Sequence, residues 1–289
     1  MLSYKLNIAG QSWTILSQES DSYVKLLASI LALDESDDKN FTNFYLITTR
    51  APKFENEKII LAEHHSPLPF AQPRQLDIGF ATIWQSDNNL IFYLQRELQG
   101  ESLVIFLKLL LLPLIDHAIA NNGLLIHAGL IAKDDCGVLL AGPGDIGKST
   151  ASRRAKAPWR MLGDDTALIY QKNNSFFVQP IPTWSELYSG NWHLNWPLQC
   201  AKLKSIFFLT QNKKTIFSAL PLNTAITYLY ECTTQVYFHY FRYQDISTSD
   251  ERDKKIKLFD NAIEIAKNIP CQLLQLPKNS RYWEKINVC

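Results

Sequence analysis

Glycine is scarce in this chain, which has only 11 glycines among its 289 residues. Seven of those 11 lie between Gly123 and Gly163, so the backbone freedom that glycine gives is concentrated in one stretch. An excess of one charge is also missing, because 29 Lys and Arg residues stand against 28 Asp and Glu residues. This balance gives no sign of a long basic surface, although it leaves room for a local basic groove, and we therefore expect no nucleic-acid partner.

Paired cysteines and long apolar runs are missing too. The five cysteines are scattered and none belongs to a C-x-x-C pair, which argues against a disulfide framework or a zinc site and favours a reducing cytoplasm. The most apolar stretch, residues 103–115, contains Lys108 and Pro113 and is shorter than the roughly 20 residues of a membrane span. Polar residues interrupt the first 12 positions, so no export signal is predicted. We expect a soluble cytoplasmic protein without a membrane partner.

The length and a hydrophobic content of 46% are sufficient for two packed domains. We predict a smaller mixed domain over residues 1–100 and a second domain over residues 101–289. In the first, residues 52–73 hold four of the 13 prolines and are predicted to form an extended loop. Its other predicted elements are a hairpin at 4–16, a helix at 24–33 and strands at 44–48, 80–84 and 90–94.

Short apolar strands and tight turns fill the first part of the second domain, and amphipathic helices fill its end. The predicted strands are 124–126, 130–132, 138–141, 167–170, 176–178 and 205–210. The predicted helices are 102–121, 150–156, 224–241 and 252–269. The glycine-rich stretch therefore lies among strands that alternate with turns.

One motif in that stretch points to phosphate binding. Gly142-Pro-Gly-Asp-Ile-Gly-Lys-Ser149 fits the pattern G-x-x-x-x-G-K-[ST], with a predicted strand before it and a predicted helix after it. Glycines let successive N–H groups face phosphate oxygens, Lys148 supplies a movable positive charge, and a Ser hydroxyl suits Mg²⁺. The predicted nucleotide-binding residues are Gly142, Gly144, Asp145, Ile146, Gly147, Lys148, Ser149 and Thr150. A glycine-rich turn without a ligand is the alternative.

Two neighbouring carboxylates and a histidine are the further candidates for chemistry. Asp164 and Asp165 stand between apolar segments, where one carboxylate can hold Mg²⁺ and the other can accept a proton. A surface turn is the structural alternative for this pair. His127 ends a short apolar segment, where a core role competes with a catalytic one. Arg153 and Arg154 either face solvent or reach a transferred phosphoryl group.

Three segments resemble a known family in their order and spacing. Residues 126–131 (IHAGLI), residues 137–150 (GVLLAGPGDIGKST) and residues 162–169 (LGDDTALI) resemble the HPr kinase/phosphorylase family. They are similar most closely to its SynChlorMet cassette kinase-like relatives, which accompany enzymes that modify ribosomally made peptides. The resemblance spans about residues 100–289. Thr150 replaces the acidic residue usual in HPr kinases, so the resemblance does not extend to the reverse reaction.

The resemblance implies an α/β fold with a core like that of HPr kinase and phosphoenolpyruvate carboxykinase, preceded by a smaller N-terminal α+β domain. It implies transfer of phosphate from ATP, with Mg²⁺, to a Ser or Thr hydroxyl of a peptide or protein. By matching position, Lys148 binds phosphate, Ser149 and Asp164 hold the metal, Asp165 is the general base and His127 lies near the transferred group. The predicted catalytic residues are thus Asp165, Asp164, His127 and Lys148.

Three questions of function and association stay open at this stage. The first is whether the chain is instead an ATP-binding partner without catalysis, or a kinase of small-molecule hydroxyls. The second is whether residues 1–100 bind a substrate or a partner, such as another peptide-modification enzyme. The third is whether the chain forms homo-oligomers.

Overall fold

The computed structural model describes residues 2–37, 43–60, 68–87, 89–182, 184–190, 198–240 and 248–287. Packing divides the chain into two compact units, one of Met1–Leu110 with Trp184–Asn195 and one of Leu111–Thr183 with Trp196–Cys289. The helices are α1 (Asp21–Leu31), α2 (Glu101–Ala120), α3 (Lys148–Arg154), α4 (Trp184–Tyr188), α5 (Leu222–Tyr240) and α6 (Thr248–Asn268). The division into separate domains at residues 1–100 and 101–289 stays a prediction from the sequence.

The first unit is built on a seven-stranded sheet in the order β3-β1-β2-β4-β10-β9-β8. Its strands and those of a smaller sheet are β1 (Ser3–Ile8), β2 (Gln11–Gln18), β3 (Asp34–Glu35), β4 (Phe44–Thr48), β5 (Lys53–Glu55), β6 (Lys58–Ile60), β7 (Leu68–Pro69), β8 (Arg74–Asp77), β9 (Ala81–Ser86) and β10 (Asn89–Leu94). Strand β4 runs parallel to β2 and to β10, and the other pairs are antiparallel. The predicted opening hairpin is confirmed as β1–β2.

The predicted loop over residues 52–73 is wrong, because part of this range forms the three-stranded sheet β5-β6-β7. The prolines do not prevent pairing, since Pro52 precedes β5 and Pro69 lies in β7, at an edge of this sheet. Ile59 and Leu68 from this sheet are buried in one cluster with Leu16, Phe44, Leu46, Phe70 and Ile91. Burial of these side chains therefore outweighs the local signal of the prolines.

The second unit contains a sheet whose strands partly close on themselves. Its strands are β11 (Leu124–Lys133), β12 (Cys136–Ala141), β13 (Arg160–Gly163), β14 (Thr166–Lys172), β15 (Ser175–Ile181), β16 (Ala201–Gln211), β17 (Ile216–Ala219) and β18 (Cys271–Leu276). They follow the order β12-β11-β14-β15-β16-β18-β17, and β12 also pairs in parallel with β16, which closes a ring of five strands. Helix α3 packs on β11 and β12, and α5 packs on β11 and α6.

One long strand replaces two predicted short ones in this unit. The structure joins 124–126 and 130–132 in β11, which pairs with β14 over its first half and with β12 and β13 over its second. A change of neighbours in mid-strand leaves no break in the sequence that a local pattern would detect. Strands β13, β17 and β18 were not predicted, and β18 is held by parallel pairing to β16.

Helix α2 has the length and composition of a membrane-spanning helix, although 67% of its most apolar stretch is buried. The helices of a protein core pass the same test of length and composition, so this feature is weak support for a membrane span. A soluble, cytoplasmic protein remains a prediction from the sequence.

A buried amide ties the end of α2 to α6 within the second unit. Asn261 is 1% exposed, and its Nδ2 donates to the carbonyl oxygens of Ile119 and Gly123 at 2.7 and 2.8 Å. These carbonyls lie at and just beyond the C-terminus of α2, where the last turn of a helix lacks partners. Asn261 therefore supplies a buried donor to two carbonyls at the end of α2.

Asn261→Ala is expected to destabilise the protein by about 1–3 kcal/mol, because both carbonyls lose their donor. The measurement is the urea midpoint of the helical circular dichroism signal. Asn268→Ala is the matched control, since Asn268 is exposed and its side chain donates to Glu264 of its own helix. Equal midpoints for the two variants would contradict the bridging role.

Candidate active site

The predicted phosphate-binding loop connects β12 to α3 in the structure. The backbone φ angles are +150° at Gly142, +59° at Asp145 and +104° at Gly147, so the chain curls tightly where glycine is most useful. A Cβ added at Gly144 or Gly147 would meet nothing within 4 Å, which leaves this side of the loop open to a ligand. Helix α3 begins at Lys148, two residues earlier than predicted, and Gly147 is its N-cap.

Lys148 lies at the base of this loop with its ammonium group turned back onto the loop. The side chain is 5% exposed, and Nζ donates to the carbonyl oxygen of Pro143 at 2.8 Å. Burial lowers the pKa of Lys148, while the Cys232 thiol and the carboxylates of Asp165 and Asp145 act in the opposite direction. The two carboxylates therefore offset only part of the effect of burial on the Lys148 charge.

A serine hydroxyl connects the loop to the predicted carboxylate pair. Ser149 Oγ donates to the backbone carbonyl oxygen of Asp164 at 3.1 Å, across 15 residues of chain. One turn further along α3, Ser152 Oγ donates to the Lys148 carbonyl at 3.1 Å. A Cβ at Gly129 would lie 3.0 Å from Ser152 Oγ, so glycine on β11 lets this helix approach the strand closely. The motif and Asp164 therefore lie side by side, as the resemblance implies.

The Asp164 carboxylate is held by an arginine of the helix that follows the loop. Its Oδ2 lies 2.5 Å from an Nη atom of Arg153, and the Asp164 side chain is 7% exposed whereas that of Arg153 is 55% exposed. From the sequence, Arg153 either faces solvent or reaches a transferred phosphoryl group. In the structure, its guanidinium pairs with Asp164. The predicted metal ligand is thus buried beside a cation that compensates its charge.

Asp165 faces a different set of neighbours. Its Oδ1 lies 3.4 Å from His127 Nε2, and Thr166 Oγ1 donates to its Oδ2 at 3.3 Å. The hydrogen bond from His127 is the main reason that the pKa of Asp165 is lowered, although partial burial opposes this. Asp165 is therefore ionised at neutral pH and half-exposed, with His127 beside it rather than in the core.

Two residues of α5, Gln235 and Cys232, contact the candidate site and are not apparent from the sequence. Gln235 Oε1 lies 3.0 Å from His127 Nδ1, which fixes the imidazole ring from its other side. Cys232 forms a backbone hydrogen bond with Gly142, and burial raises its pKa to about 11, so it is a neutral thiol behind the loop. Both residues lie more than 80 positions beyond the motif, and no local pattern connects them with it.

The remaining predicted binding residues differ in what they offer to a ligand. Thr150 is exposed, and Ile146 packs partly against the hydrophobic core, so Ile146 would offer only its backbone N–H. In the described part of the chain, no group of three or more His, Cys, Asp and Glu side chains is arranged to hold a metal ion. Ser149 and Asp164 alone fit Mg²⁺, which takes few protein ligands and completes its shell with water and phosphate oxygens.

Comparison with solved structures gives a distant likeness. The HPr(Ser) kinase/phosphatase from Coxiella burnetii is 22% identical, over 34% of this chain and 67% of that protein, with a TM-score of 0.24. A TM-score this low does not establish a shared fold. No curated protein matches the chain.

The family comparison covers the whole candidate site. Residues 90–289 match the family described as SynChlorMet cassette protein ScmC. The match includes β11 with His127, the loop with Lys148 and the turn with both aspartates, and it confirms the resemblance noted in the sequence. Because it covers more than half of the chain, the protein belongs to the ScmC family of SynChlorMet cassette proteins.

Proposed function

We propose that this protein is an ATP-dependent kinase that transfers the γ-phosphoryl group to a Ser or Thr hydroxyl of a peptide or protein. One observation carries the proposal. The bond from Ser149 Oγ to the Asp164 carbonyl brings the phosphate-binding motif next to two carboxylates. A phosphate cradle, a metal-binding carboxylate and a general base are the parts that phosphoryl transfer needs in one place.

The residues of the loop fit a nucleotide phosphate chain and Mg²⁺. The open side of the loop at Gly144 and Gly147 leaves room for phosphate oxygens close to the backbone. Lys148 would exchange the Pro143 carbonyl for a phosphate oxygen, and Asp164 would share its charge between Arg153 and the metal. Bound there, ATP supplies the transferred group and Mg²⁺ neutralises its charge.

Asp165 is the proposed general base because it combines ionisation with access. Its lowered pKa keeps it charged at neutral pH, and 35% of its side chain is exposed to an incoming hydroxyl. His127 orients this carboxylate and stabilises its charge, and Gln235 in turn orients His127. Lys148 stabilises charge that develops on the phosphate during transfer. The chain contributes position and charge rather than a covalent intermediate.

The family supports a peptide as the acceptor within a set of enzymes that modify it. We therefore propose maturation of a ribosomally made peptide in the cytoplasm, with other peptide-modification enzymes as partners. A role for the N-terminal unit in binding a substrate or partner, and a homo-oligomeric state, belong to the same proposal. Two outcomes would replace this proposal. One is ATP binding without phosphoryl transfer, and the other is transfer only to a small molecule.

The direct test incubates the full chain with ATP, Mg²⁺ and peptides encoded beside its gene, and measures a phosphate-sized mass gain. Lys148→Ala should lower turnover about 100-fold or more, because one preorganised positive charge is lost from the transition state. Lys172→Ala is the control, since Lys172 is exposed at the end of β14. Undiminished turnover in Lys148→Ala would show that the loop has another role.

Asp165→Asn should separate binding from chemistry. Its amide keeps the shape of the carboxylate but cannot accept the substrate proton, so transfer should stop while MgATP binding persists. Titration calorimetry and the mass assay measure the two effects on the same sample. Full transfer in Asp165→Asn would move the role of base to Asp164.

Asp145→Gly should bind MgATP more tightly, by about fivefold, because a carboxylate is removed from beside the phosphates. Glycine also relieves the left-handed backbone at this position, where φ is +59°. Asp145→Asn isolates the effect of charge, because Asn tolerates the same conformation. Calorimetry with MgATP should give tighter binding in both variants, and weaker binding in both would place the phosphates elsewhere.

The acid limb of the transfer rate should depend on His127. Asp165 accepts a proton only when ionised, so the rate falls as the pH drops through its pKa, which His127 lowers. His127→Ala should raise that pKa and move the midpoint of the acid limb to higher pH. His117→Ala is the histidine control, because His117 lies on α2 and does not contribute to the Asp165 pKa. An unshifted midpoint in His127→Ala would rule out Asp165 as the base.

A further inference from the structure

A cavity in the Leu111–Thr183/Trp196–Cys289 unit lies away from the loop. It has a volume of about 690 Å³ and is bounded by the connector after α3 and by the C-terminal segment, residues 279–286. Its lining includes Trp159 and Trp283, which are 4% and 8% exposed. This volume is in the range that holds a ligand of drug size, and it is much larger than a single carboxylate or phosphate needs.

The lining of this cavity is strongly basic. Lys133, Arg154, Lys156 and Arg281 contribute four positive charges, and Glu284 contributes the one negative charge. Glu284 lies 3.7 Å from Arg281, and both side chains are more than half exposed, so this pair is weak and open to exchange. The four cations and one anion give the lining a net charge of +3, whereas the whole chain carries only +1, so the lining is more basic than the rest of the chain.

We propose that this cavity binds an acidic peptide segment. Two or more of its carboxylates pair with the cations, and its apolar atoms contact Trp159 and Trp283. The cations come from four separate places: the end of β11, the last turn of α3, the connector after it and the C-terminal segment. Cations from separate segments suit several carboxylates along a chain better than one compact anion. When the peptide binds, one of its carboxylates replaces Glu284 as the partner of Arg281.

The cavity is distinct from the proposed nucleotide site, because the two lie at opposite ends of α3. A helix of seven residues is about 10 Å long, with the loop at its N-terminus and Arg154 at its C-terminus. Arg154 also donates to the Lys278 carbonyl and to Asn279 Oδ1, and Tyr282 Oη donates to the Ala151 carbonyl at 2.9 Å. A peptide bound here therefore contacts the segment that holds α3, and its binding does not require phosphoryl transfer.

The test measures binding of a fluorescein-labelled tetraglutamate peptide to the full chain by fluorescence anisotropy. Labelled tetraserine and tetralysine are the comparison peptides. The double variant Lys156→Glu/Arg281→Glu should weaken tetraglutamate binding by about tenfold or more, because attraction becomes repulsion. Lys172→Glu/Lys213→Glu is the control with the same change of net charge on exposed lysines outside the cavity. Its affinity should stay within about twofold of the parent, as expected for remote, screened charges.

Several results would overturn this proposal. Equal weakening by the two double variants would mean that only the overall charge attracts the peptide. Displacement of the peptide by tripolyphosphate at lower concentration than by unlabelled tetraglutamate would assign the cavity to a compact phosphorylated ligand. Competitive displacement by MgATP would make it part of the nucleotide site, and absence of tetraglutamate binding would leave no acidic partner. The helical circular dichroism signal and the urea midpoint of each variant check that its fold is intact.

Discussion

The hydrogen bond from Ser149 to the Asp164 carbonyl joins two segments on which the rest of the site depends. Ser149 belongs to the first turn of α3 and Asp164 to the turn between β13 and β14, so the bond sets the separation of loop and carboxylates. Glycine at position 129 allows α3 to lie close enough to β11 for this contact. The same strand carries His127, so a single packing distance places the lysine, both aspartates and the histidine together.

Charge at the site is distributed so that each buried ionic group has a partner. The carboxylates of Asp165 and Asp145 offset part of the effect of burial on the Lys148 pKa, and Asp164 is paired with Arg153. Asp165 has the opposite surroundings, because His127 favours its ionised form while solvent still reaches it. The two adjacent carboxylates therefore differ in partner and access, which is how neighbouring acids take different roles in one reaction.

Local patterns predict the elements that local sequence controls. The strand–loop–helix around Gly142–Ser149 and the turn at Asp164 are each encoded within a few residues, and the structure contains both. Pairing between distant segments is harder to predict from local sequence. Strand β18 pairs with β16 some 65 residues earlier, and Gln235 contacts His127 across 108 residues. Prolines at 52–73 misled the prediction because edge positions tolerate them when neighbouring side chains are buried.

The short helix α3 is held at both of its ends by contacts with distant parts of the chain. Seven residues are too few for a stable isolated helix, so its position depends on tertiary contacts. At one end Gly147 and the Ser149–Asp164 bond fix the start, and at the other Arg154 and Tyr282 attach the helix to the C-terminal segment. Contacts from distant parts of the chain therefore fix both ends of α3, which lies between the phosphate-binding loop and the basic cavity.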